Sequence, residues 1–184
     1  MNSADDLVKR LLEAPVGVPV EECGATAALA AISGRDITAV MRTRATRELT
    51  AAEQELLQAP GPAQGHERRG TLYAGHVPAA STTAVLLPHR LPAAVRETLG
   101  IDRPGRAKAA GHGVPLGRAL AGLGVRREPI SAVLTPGLRD ADGRELIITS
   151  AARLWLGWPI AIVAERVYRD FLAVSAGAQE PAAK

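Results

Sequence analysis

Two stretches of the chain hold side chains placed to do chemistry. In "AIVAERVYRD", residues 161–170, Glu165 interrupts what otherwise reads as a buried strand. Alternate residues of an extended chain share a face, so Glu165 points the same way as Ala161, Val163 and Val167. An ionised carboxylate in that company costs free energy unless a cation or a hydrogen-bond donor meets it. Glu165 is therefore either a structural acid in a buried pair or part of a polar site inside an apolar pocket. In "RRGTLYAG", residues 68–75, Arg68 and Arg69 point to opposite sides of a strand, so at most one faces the core. Arg69, with Thr71 and Tyr73 on its face, is a candidate ligand-binding arginine beside the commoner reading of a solvated one. Together, Arg69 and Glu165 would suit a small acid bearing a carboxylate and a hydroxyl, since guanidinium pairs bidentately with carboxylate. Burial would raise the Glu165 pKa and a nearby guanidinium would lower it.

Other chemistry leaves little trace. The chain has no phosphate-binding Gly-Lys-Ser/Thr loop, no G-x-G-x-x-G after a strand, no H-E-x-x-H and no G-x-S-x-G elbow. His66, His76, His89 and His112 fall singly in predicted loops or turns and read as surface residues. His112, in "AGHGV", is the one placed to fold over a bound ligand. A lone cysteine, Cys23, excludes an internal disulfide and a cysteine-based zinc site, and no metal site is expected. The 22 basic residues include 19 arginines, but they are spread along the chain, and aromatics make up 3% of it. Nucleic-acid binders cluster their basic residues and interleave aromatics for stacking, so no nucleic-acid partner is expected.

The elements that must position these groups follow from periodicity and punctuation. Length (184 residues) and an apolar fraction of 47% predict one globular domain over 1–174 and a disordered tail over 175–184. No apolar run approaches the ~20 residues of a membrane span, and the acidic start lacks a signal-peptide core. A cytoplasmic monomer or small homo-oligomer is expected. Helices are predicted over 5–12, 25–32, 50–59, 91–100 and 115–124. The third begins with a capping box, Thr50 and Glu53. Strands are predicted over 35–45, 68–75, 79–87, 125–134, 144–156 and 159–170, with loops at 60–67 and 101–114. In the first strand Ile37, Ala39 and Met41 share one face, and Thr38, Val40 and Arg42 the other. Helices first and hairpins after imply an α+β domain, an antiparallel sheet with helices on one face.

In order and spacing, residues 7–172 resemble the chorismate lyase (chorismate pyruvate-lyase) family. The likeness rests on "GATAALAAISGRDITAV", the Arg-led strand "RGTLYAG", "PLGRAL" after a helix, and a final hairpin with Glu in its second strand, "ARLWLGWPIAIVAERVY". It implies a six-stranded antiparallel sheet flanked by helices, with an enclosed pocket under helix-tipped flaps at 16–25 and 101–114. It further implies a cofactor-free carbon–oxygen lyase that splits chorismate into 4-hydroxybenzoate and pyruvate by positioning and electrostatics. Arg69 and Glu165 would be its catalytic pair, and Ala25, Thr26, Leu116 and Gly117 its substrate-binding residues. Backbone N–H groups at the starts of two helices would meet the anionic substrate. This chain departs from the family in "STTAVLLP", which lacks a charged residue, and in "VAERV", with Ala where Thr is frequent. The alternative is a non-enzymatic domain that binds a small aromatic acid, like the sensor domain of GntR-type regulators, which shares this fold. Such regulators place a winged helix-turn-helix module before the sensor. Here the fold's own early helices and strand are expected to occupy the residues before Arg69.

Overall fold

The computed structural model describes residues 3–12, 18–102 and 111–177. Its elements run α1 (Ser3–Leu12), α2 (Val20–Cys23), α3 (Ala25–Ser33), β1 (Ile37–Glu48), α4 (Ala51–Leu57), β2 (Gln64–Ala74) and β3 (Val77–Leu86). Then come α5 (Ala93–Leu99), β4 (Gly111–Gly113), α6 (Leu116–Ala119), β5 (Arg126–Leu134), β6 (Leu146–Trp155), β7 (Pro159–Tyr168) and α7 (Arg169–Gly177). The strands form one sheet in the order β4-β1-β2-β3-β7-β6-β5, every pairing antiparallel. Six long strands with flanking helices are the expected α+β architecture, and β4 adds three residues to the β1 edge.

Local signals explain several boundaries. Thr50 Oγ1 accepts from the Glu53 amide, and the Glu53 carboxylate accepts from the Thr50 amide, so the capping box forms as the spacing implies. Gly100 ends α5 at φ 69°, a left-handed conformation that a glycine adopts without a Cβ clash.

One face of the sheet is inward, and the register fixes who stands on it. Met41, Gly70, Thr82, Glu165, Ser150 and Ala132 form one row across the strands. Arg68, Ala84, Val163 and Ala152 form the next. Helices α1, α3 and α7 cover one end of this face, where Leu7, Leu11, Leu29 and Phe171 join Ile37, Leu72 and Val167. At the other end α5 and the segments around α2 and α6 bring Val20, Val95, Leu99 and Leu120 onto Leu86, Leu154 and Ala161. Helix α4 alone packs on the outer face, through Leu57 against Leu49, Val85 and Leu87. The two inner clusters do not merge. Arg68, Gly70, Thr82, Glu165 and Ser150 of these rows belong to neither.

A bulge decides the rest. The β1–β2 register shifts between Met41 and Thr43, leaving Arg42 unpaired on β1. Ile37, Ala39 and Met41 face inward before it, as alternation implies, and all three are buried. After it the parity flips, and Arg44 stands directly opposite Arg68. Strict alternation would have sent Arg44 outward with Val40 and Arg42.

Other expectations need correction. Strand β2 begins at Gln64, inside the predicted 60–67 loop, because β1 runs on to Glu48 and pairs with it. His66 is thus a buried strand residue rather than a loop histidine. Helix α6 is a single turn, not a helix over 115–124. The chain turns helical again at Arg169, so residues 169 and 170 leave the predicted strand and 175–177 leave the predicted tail. Residues 178–184 lie outside the described residues.

Gly70 shows how tightly β1 and β2 meet. A Cβ there would come within 2.5 Å of the Val40 carbonyl oxygen and 2.9 Å of Met41 Cε. The first neighbour is backbone and cannot yield. Gly70→Ala is expected to lower stability by about 1–3 kcal/mol, the usual range for overpacking. Equilibrium urea unfolding measures it, and an unchanged midpoint would show that the two strands separate freely at this point.

Candidate functional site

The gap between the two inner clusters is a cavity of about 590 Å³, counted with the solvent at its mouth. Its floor is the sheet: Ala39 and Met41 of β1, Arg68 and Leu72 of β2, Thr82 and Ala84 of β3, Val163 and Glu165 of β7. Its cover comes from Val20, the Gly24–Thr26 start of α3 and the Val114–Gly117 segment that leads into α6. These two segments approach closely, since a Cβ at Gly117 would lie 4.0 Å from Thr26 Oγ1.

Three charged side chains reach this apolar space, each from a different strand. Arg68 is 3% exposed and donates from Nη2 to the Val114 carbonyl at 3.1 Å, which ties the floor to the cover. Its Nε is buried without a partner among the described residues. Arg127 of β5 lines the cavity from the side, donates from Nη1 to the Leu11 carbonyl, and leaves Nη2 buried and unpartnered among those residues. Glu165 is 7% exposed and accepts a hydrogen bond from Ser150 Oγ at 3.0 Å. Ser150 stands opposite it on β6 and is fully buried.

Of the residues singled out in the sequence, Ala25, Thr26, Leu116, Gly117 and Glu165 line this cavity, and Arg69 does not. Arg69 lies on the outer face, where its side chain is 61% exposed and its Nε holds Glu67 at 2.5 Å. The β1–β2 register turns its neighbour inward instead, so Arg68 occupies the place expected of Arg69. Alternation had required that only one of the doublet face the core; it did not say which. Arg127, next to Arg126 in the chain, is not singled out by the sequence, because β5 alternation alone gives no sign of what lies across the sheet. The anion-receptor role expected of two helix starts also weakens, because the one-turn α6 has almost no macrodipole to offer. The flaps expected at 16–25 and 101–114 fall partly on 16–17 and 103–110, outside the described residues. His112 pairs through its backbone with Val40, and its side chain lies outside the description.

No family model and no curated protein matches the sequence. Solved structures do match the fold. The effector domain of PhnF from Mycobacterium smegmatis superposes with a TM-score of 0.53 at 14% identity, over 79% of this chain and 88% of that one. The ligand-binding domain of a GntR-family transcriptional regulator from Bordetella bronchiseptica gives 0.53 at 14% identity, over 74% and 87%. The fold is thus the one that GntR-family effector domains share with chorismate lyase. These neighbours overturn the expectation of a carbon–oxygen lyase. The structures found to share this architecture are regulator domains, and the arginine of the expected catalytic pair points away from the cavity.

The electrostatics of the site are asymmetric. Burial pushes the Glu165 carboxyl above the ordinary glutamate range, and the field of Arg127 and the Ser150 hydroxyl only partly oppose it. Burial, with a smaller push from Arg44, brings Arg68 down to about 10, so it stays a cation at neutral pH. A carboxyl with a raised folded pKa favours the folded state fully at pH below the unfolded value, roughly 4.3. That contribution is lost as pH rises through the folded value. Glu165→Gln removes the titration, so its stability relative to the parent protein is expected to improve from pH 4 to pH 8. Urea midpoints of the pair across that range measure the trend; a constant difference would mean Glu165 ionises as freely in the fold as in the unfolded chain.

Proposed function

We propose that this chain is a non-enzymatic binding domain for a small organic acid, with a hydroxylated aromatic acid as the ligand class. One observation carries the reading: Arg68 and Arg127 line an apolar cavity that also holds Glu165, and each keeps a buried guanidinium N–H with no acceptor among the described residues. An unmade hydrogen bond at a buried donor costs on the order of 1–3 kcal/mol, more for a charged group. A carboxylate supplies both the missing acceptor and the opposite charge, and guanidinium geometry suits it. The walls formed by Leu72, Leu116, Leu154 and Val163 suit a flat apolar ring. Glu165, held by Ser150 and protonated more readily than an exposed glutamate, can donate to or accept from a ring hydroxyl. Chorismate, a non-aromatic cyclohexadiene, carries the same polar groups, a ring carboxylate and a ring hydroxyl, together with a second carboxylate. The fold neighbours, an effector domain and a ligand-binding domain of regulators, support the same use of the fold.

A ligand that binds only the folded state raises the melting temperature by an amount that grows with the logarithm of its concentration relative to Kd. Thermal unfolding with 4-hydroxybenzoate, benzoate and 4-hydroxybenzyl alcohol separates the contributions. The first is expected to stabilise most, benzoate less, and the alcohol, which lacks the anion, hardly at all. Arg127→Ala is expected to weaken 4-hydroxybenzoate about 10- to 100-fold, the worth of a charge-assisted hydrogen bond. Stabilisation by the alcohol equal to that by the acid, or binding unaffected by Arg127→Ala, would overturn the proposal.

A further inference from the structure

Beside the cavity, β1 and β2 gather three basic side chains. Arg44 stands opposite Arg68, and His66 lies two residues before Arg68, on the same face of β2. His66 is 6% exposed, and neither of its ring nitrogens has a hydrogen-bond partner among the described residues. The Arg44 guanidinium sits between two glycines: a Cβ at Gly100 would lie 3.2 Å from Nη1, and one at Gly113 would lie 3.3 Å from Nη2. Among the described residues no carboxylate forms an ion pair with Arg44 or Arg68, although most of the chain's other ion pairs are short and well formed. Like charges directly opposite on a sheet repel, and buried donors without acceptors add to that cost. Only the bulge at Arg42 makes this pairing, and one added anion would satisfy all three groups.

We propose that Arg44, His66 and Arg68 form a subsite for an oxyanion, the carboxylate, phosphoryl or sulfuryl group of a ligand, at the β1–β2 end of the cavity. The subsite shares Arg68 with the organic-acid site and so extends that reading to a second acidic group on the ligand. Filling it takes up a proton. Burial, then the fields of Arg68 on its own strand and Arg44 on β1, keep the empty-site imidazole below its ordinary pKa. On β1 Thr46 stands opposite His66, and Glu48, exposed, lies two residues further along the same face. On β3 the residue opposite His66 is apolar Leu86. Helix α5, which packs on Leu86 through Val95 and Leu99, has Arg96 engaged with Asp102, and its Glu97 has a partner of its own. An oxyanion reverses the field at the ring and favours the imidazolium. Affinity should therefore fall as pH rises through the bound-state pKa.

Sulfate is the probe, because its charge is constant from pH 5 to 8. It is titrated into the full chain at fixed ionic strength set with chloride, while NMR follows the His66 imidazole, assigned by its loss in His66→Gln. Saturating sulfate is expected to raise the His66 pKa by about one unit or more, the effect of an opposite charge within a few ångströms. Arg44→Ala should weaken sulfate about tenfold or more, and His66→Gln should bind with no pH dependence between 5 and 8. Sulfate binding that leaves the His66 titration unmoved, equal binding to Arg44→Ala, or no binding at all would overturn the subsite. If 4-hydroxybenzoate binds through Arg127 while sulfate leaves His66 unmoved, the organic-acid site stands and this subsite falls. The opposite pattern retains the subsite and removes the organic-acid reading.

Discussion

The inner face of the sheet holds two guanidinium groups and a carboxyl out of water while pairing them only in part. Arg68 is anchored at one nitrogen by Val114, Arg127 at one by Leu11, and Glu165 by Ser150. Breaking a buried charge away from its partners costs several kcal/mol in typical cases, so groups left half-satisfied are rare in a settled core. Here each head group is anchored at one point, and all three residues line a common cavity. The cavity is this incomplete satisfaction expressed as shape.

Its position follows from how the helices divide. Helices α1, α3 and α7 close one end of the sheet, and α5 with the segments around α2 and α6 closes the other. Had the two clusters fused, Arg68 and Glu165 would lie in a dry, packed interior with their charges uncompensated. At the seam between the clusters, Arg68, Arg127 and Glu165 line the cavity instead. The Arg68–Val114 bond runs across it, so the floor and the segment entering α6 are not independent.

On the outer face a nearly buried carboxylate is paired on both oxygens. Glu67 is nearly buried there and receives both Arg69 and Arg47, and Arg47 in turn holds Glu53 of α4 at 2.6–2.7 Å. Arg47, together with the Thr50 amide of the capping box, brings Glu53 down to about 2. Arg69, the residue that the resemblance favoured, belongs to this network through its Nε, with the rest of its side chain largely exposed on the outer face, while Arg68 is buried on the cavity side.

How much of this was legible in the residues divides along one line. Much of what local periodicity carries was: the helix starting at Ala25, the capping box at Thr50, the inward set Ile37, Ala39 and Met41, the antiparallel α+β fold, and Glu165 as a carboxyl among apolar neighbours, though not the length of the helix expected over 115–124. Ala25, Thr26, Leu116 and Gly117 also line the cavity, as the resemblance implied. What depended on the partner strand was not. Side-chain direction repeats every two residues, so a shift of one pairing exchanges the faces. The identity of the inward member of Arg68–Arg69, the inversion at Arg42 that turns Arg44 toward Arg68, and the burial of His66 are all matters of register. Arg127 lines the same cavity as Glu165 because β5 and β7 flank β6 in space. Composition and alternation fix what a strand can present; only the pairing of β1 with β2, and of β6 with its two neighbours, decides where it is presented, because that choice is made by contacts between residues far apart in the chain.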